Sequence, residues 1–109
     1  MTTFVLDLES AIQRDNLWNL RGYGEILDWY RKAADRAIPK AQDGLGLLYA
    51  TGGGVAQDDV QAYMWFTLAG WGGNAAAFDH LDLIAARLTP AQIEQAKALA
   101  TAWKPKTGK

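Results

Sequence analysis

An aromatic pair followed by two small residues occurs twice in this chain at a fixed interval. Trp29-Tyr30-Arg31-Lys32-Ala33-Ala34 is echoed 36 residues later by Trp65-Phe66-Thr67-Leu68-Ala69-Gly70. A period of that length holds two helices and their turns, and self-similarity at roughly 20 to 50 residues marks stacked helical hairpins. The echo therefore predicts an all-α chain built as an α/α superhelix, a short solenoid of antiparallel helical hairpins, and an interaction surface more than a catalytic centre. With 109 residues, half of them hydrophobic, there is material for one domain and one modest core.

Glycine and proline divide the sequence into about six helical segments, near 3–14, 23–36, 39–51, 59–71, 75–87 and 90–103. Pro39 and Pro90 fit first-turn positions, where the missing N–H leaves nothing unpaired, and Thr89-Pro90-Ala91-Gln92 adds a capping box. Asp58 caps the segment that follows Gly52-Gly53-Gly54, whose freedom at positive φ ends the one before. The domain spans 1–103, and the basic tail 104–109 has nothing to bury and is expected to fray.

Over 39–51, Ala41, Leu45, Leu48 and Tyr49 share one helix face, the stripe that docks on neighbours. Gly46 lies beside it. A glycine inside a helix costs about 1 kcal/mol relative to alanine, so close approach of another helix is its expected reason. Trp29 and Trp65 take equivalent repeat positions and are both read as core; Trp18, Trp71 and Trp103 fall at helix ends or loops, where they seal caps or join an interface.

Taken together, Ala41-x-x-x-Leu45-Gly46-x-x-Tyr49-x-x-Gly52, then Gly54-Val55-x-x-Asp58 and Ala62-x-x-Trp65-Phe66-x-x-Ala69, resemble one unit of the Sel-one-like repeat family, α/α hairpins close to the tetratricopeptide class. Trp29 to Ala34 resembles the second helix of an earlier unit, and Asn74-Ala75-Ala76-Ala77 the opening of a later one, so residues 23–88 carry the likeness. Ala37 stands where the family has a helix-closing glycine, so the turn before Ile38-Pro39 is expected to be built differently. Asp82 replaces the glycine equivalent to Gly46, and residues 3–22 match poorly. The first helix and residues 75–103 read as atypical caps. The resemblance implies a non-enzymatic scaffold or adaptor binding a protein or peptide on a concave face; some family members are inhibitors or immunity proteins for effectors. A structural homo-oligomer or homodimer using the same apolar surface is the alternative.

Enzymatic readings fare worse. The single histidine, His80, and the single serine, Ser10, sit on segments at opposite ends of the proposed stack, which disfavours a Ser/His dyad. His80 has Ile84 where an i, i+4 metal ligand would stand, so it reads as a surface or flank histidine, and no metal or cofactor is expected. Gly52-Gly53-Gly54 lacks the Lys-Ser/Thr ending of a phosphate loop. An enzyme using carboxylates such as Asp43 and Asp79 is the weakest of the readings. A formal net charge of −1 gives no field for nucleic acid or anionic lipid. No run approaches the roughly 20 apolar residues of a membrane span. The opening Met1 to Glu9 lacks the basic flank and unbroken apolar run of a signal peptide, so the expectation is cytoplasmic, or periplasmic for a trimmed mature form.

One candidate strip remains. Asp43 and Leu47 lie half a turn from Leu45, and a shift of 36 residues puts Asp79 and Leu83 in the same places. The register of Phe4, Leu8, Ala11 and Ile12 adds Leu6 and Ser10. The first helix of each hairpin lines the concave side of such arrays, so Leu6, Ser10, Asp43, Leu47, Asp79 and Leu83 form the expected protein-binding groove.

Overall fold

The computed structural model describes the backbone of residues 22–106 and the side chains of 26–106, and among these described residues five helices account for the regular structure. They are α1 (Gly22–Asp35), α2 (Pro39–Thr51), α3 (Asp59–Trp71), α4 (Ala76–Ala85) and α5 (Pro90–Ala102), with no strand among the described residues. The all-α expectation holds. The helix expected over 3–14, and with it Leu6, Ser10 and Trp18, lies outside the described residues.

Local chemistry explains where each helix stops. At the end of α1 the Ala37 N–H donates to Ala34 O (2.9 Å) and the Ile38 N–H to Ala33 O (3.2 Å), which requires Ala37 at φ 66°. The turn is thus not rebuilt around the missing glycine; alanine adopts the left-handed conformation that glycine would take more easily. Pro39 opens α2, and Gly52 at φ 75° closes it, its N–H returning to Leu48 O. Asp58 caps α3 by accepting from the Gln61 N–H at 3.1 Å. Asn74 Oδ1 accepts from the Ala76 N–H at the start of α4 (3.1 Å), and Thr89 and Gln92 form the reciprocal box that opens α5. α4 ends two residues before the expected 87, because Arg87 leaves the helix in a turn and its guanidinium donates to Ala50 O and to Asp59, both at 2.8 Å. That side chain ties the ends of α2 and α4 to the start of α3.

α3 is the hub: it packs against α2, α4 and α5, while α1 packs on α2. Accordingly α3 is buried from Met64 through Gly70 without a break, as a helix surrounded by neighbours must be. One core cluster joins Ala34, Leu45, Leu48, Met64, Trp65 and Ala100, with Trp103 edge-on to Trp65 at 5.9 Å. A second joins Leu47, Ala50, Ala62, Phe66 and Ile84. Gly46 separates α2 from Phe66 so narrowly that a β-carbon there would stand 2.6 Å from the ring, which is the close approach expected of it. Gly70 does the same for Phe78, at 2.7 Å.

One expectation fails here. Trp29 is not core: it is 65% exposed, whereas Trp65 is 7% exposed. Among the described helices α1 has α2 as its main support, while α3 is enclosed on three sides, so the same register meets different surroundings. Beyond α5 the Lys106 N–H donates to Asp35 O (2.6 Å) and its ammonium lies 3.5 Å from the Asp35 carboxylate, which brings the chain there to the end of α1.

Candidate functional site

The expected strip does not form as a continuous exposed surface. Leu47 is buried between Phe66 and Ile84, and Asp43 is only 4% exposed. Asp79 and Leu83 are exposed on α4, and Leu6 and Ser10 lie outside the described residues. The reason is that α2 has a second buried face. Asp43, Gly46, Leu47 and Ala50 follow an i, i+3, i+4, i+7 spacing, a helical face of their own beside the first stripe, and all are buried. The signal was present in the sequence, but small residues and one aspartate disguised it.

His80 is what brings Asp43 inside. It is buried on α4, not at the surface, and its Nδ1 lies 2.8 Å from Asp43 Oδ1, each side chain being 6% exposed. An ionised Asp43 can only accept, so the Nδ1–H donates. The imidazole is also stacked obliquely on Phe66, with ring centres 5.2 Å apart. Burial pushes the Asp43 carboxyl above its ordinary value of 3.8; the hydrogen bond and charge of His80 pull the other way without cancelling it.

Gln42 was also missed. It is buried beside Asp43, and its Nε2 donates to Ala34 O at 3.2 Å, satisfying a carbonyl at the end of α1. That bond holds the last turn of α1 against the first turns of α2, the geometry from which the pocket described next is made.

Between α1, α2 and the α3–α4 turn lies a pocket of about 670 Å³. Trp29, Tyr30 and Ala33 form the α1 wall, and Asn74 and Ala76 stand opposite. Along α2 the lining passes from Lys40 at the rim through Ala41 to Asp43 and Gly44. Gly44 is needed because the Tyr30 ring lies against it, where a β-carbon would meet the ring at 2.7 Å. Trp29 meets Tyr30 edge to face at 5.4 Å, and Ile38, 47% exposed, completes the apolar mouth. Among the described residues the lining is mainly apolar and carries one buried carboxylate, Asp43. Among the described residues no three His, Cys, Asp or Glu side chains converge to hold a metal ion. No described helix is long and apolar enough to cross a membrane. No known family model matches the chain.

Proposed function

We propose that this chain is a non-enzymatic protein-binding module, an adaptor of the kind the Sel-one-like resemblance implies, whose partner protein or peptide inserts an anchor into the pocket between α1 and α2. The binding face is then the end of one hairpin and the start of the next, not the strip through Leu47 and Leu83. The observation that carries this reading is Trp29, 65% exposed at the mouth of an apolar pocket that has a definite shape and volume. Interface energy concentrates in a few anchors, tryptophan foremost, that fill or line pockets. Residues 39–85 then act as the scaffold unit that holds α1 in place.

The reading is tested with a photo-crosslinking side chain at position 38, at the pocket mouth, and separately at position 83, on α4. Cells of the native host are irradiated and adducts are sized. An adduct with another protein that forms from position 38, is lost when Trp29→Ala is added, and does not form from position 83 supports the pocket. Adducts from position 83 alone would contradict it. An adduct of twice the chain's own mass from position 38 would assign the pocket to self-association, the homo-oligomer reading.

A further inference from the structure

We infer that the pocket receives a primary ammonium group on an apolar stem, namely a lysine side chain presented by the partner segment, with Asp43 as counter-ion and Trp29 and Tyr30 as walls. The inference rests on the pocket being the binding face and names what enters it.

Asp43 lines the pocket although its side chain is only 6% exposed. Among the described residues its one hydrogen-bond partner is His80, through Oδ1. A carboxylate offers about four lone-pair sites, so one bond leaves most of its accepting capacity unused. A charge removed from water to this degree gains strongly from a second, cationic partner. The pocket is the side from which such a partner can come. An anionic guest would meet the carboxylate and be repelled; a wholly apolar guest would leave it without compensation.

The walls suit the same guest. Trp29 and Tyr30 line the same pocket as the carboxylate, and a cation held against aromatic faces is attracted by the ring quadrupole, most strongly for tryptophan. Ala33, Ala41 and Gly44 leave a smooth apolar lining for methylene groups, the arrangement in which a lysine buries its stem. Lys40 is the opposing charge. It stands exposed at the rim and makes no ion pair with Asp43, so its charge is screened by water to a degree that the enclosed carboxylate is not.

The test follows Trp29 indole and Gly44 amide signals by NMR while the full chain is titrated with the blocked tripeptide acetyl-Leu-Lys-Leu-amide. Analogues with norleucine or glutamate at the centre, and free pentylammonium, are titrated in parallel. The lysine peptide is expected to bind about tenfold more tightly than the norleucine peptide, and the glutamate peptide not at all. Asp43→Asn should bring the lysine peptide down to the norleucine level. Trp29→Leu, at an exposed position that does not threaten the fold, should weaken the lysine peptide selectively. Equal binding of lysine and norleucine peptides at these signals overturns the ammonium inference and leaves the pocket as a binding face. Absence of any shift at Trp29 and Gly44 overturns both. Pentylammonium binding as tightly as the lysine peptide would assign the pocket to a free amine instead of a partner segment.

Discussion

Ala37 holds its backbone at φ 66°, a region that disfavours an L residue by about 1–2 kcal/mol. Its side chain is exposed, so little packing is lost on removing the methyl group. Glycine reaches this conformation freely but gives up more freedom on folding, and the two effects leave a net gain. Ala37→Gly should stabilise the domain by about 1 kcal/mol in urea denaturation. A loss would mean that the turn is not strained. Asp43 makes a second prediction at this scale. Its carboxyl is raised above 3.8 by burial, so the folded chain keeps that proton at pH values where the unfolded chain has released it. Stability from this group is therefore full below the unfolded value and is lost as pH rises through the folded one. Asp43→Asn removes the effect. Urea melts over a pH series should show the wild type losing ground to the variant as pH climbs above 3.8, then a constant difference. A wild type that gains ground over that range would show that His80, not burial, controls the group.

At the scale of elements, α2 and α3 were legible to the residue, because Pro39, Gly52 and Asp58 are strong local signals of start, stop and cap. What the pattern did not disclose was how many sides of α2 are covered. A stripe of leucines reports one buried face readily, whereas a face with one leucine among glycine, alanine and a histidine-bonded aspartate stays disguised until the neighbouring helix is in place. Spacing alone puts Asp43 and Leu47 on the open side for that reason, and it places His80 at a flank because its partner lies 37 positions away. Three substitutions test which of these positions are covered. Gly46→Ala gains about 1 kcal/mol of helix propensity, but its methyl group would meet the fully buried Phe66 ring, which has nowhere to move. Overpacking of this kind costs about 1–3 kcal/mol, so a net loss is expected in denaturant melts. Equal or greater stability would mean that α2 and α3 can separate without penalty. Leu47→Asp should unfold the chain, since it buries an unpaired charge in the second core cluster. Leu83→Asp, at a position 54% exposed, should change stability by no more than about 0.5 kcal/mol. Circular dichroism of the pair distinguishes a covered face from the open strip that register alone implies.

Over the whole molecule, burial is concentrated around α3, whereas the proposed binding face lies on α1 and α2. α3 gathers α2, α4 and α5 around Trp65, with Trp103 edge-on to the ring and Arg87 tying three helix ends together. α1 is held at one flank by Gln42 and by the strap from Lys106 to Asp35, and its Trp29 faces outward over the pocket. The 36-residue echo pointed correctly to an all-helical chain, but equivalence in sequence is not equivalence in environment. A residue in repeat register is core only where the molecule supplies neighbours on every side. That divergence of Trp29 from Trp65 is the central claim, and one measurement reaches it directly: the unfolding free energies of Trp65→Ala and Trp29→Ala in urea, side by side. Trp65→Ala should lose about 3–5 kcal/mol. Trp29→Ala, which gives up little beyond its edge contact with Tyr30, should lose less than about 1 kcal/mol. Equal large losses would place Trp29 in the core and contradict the account.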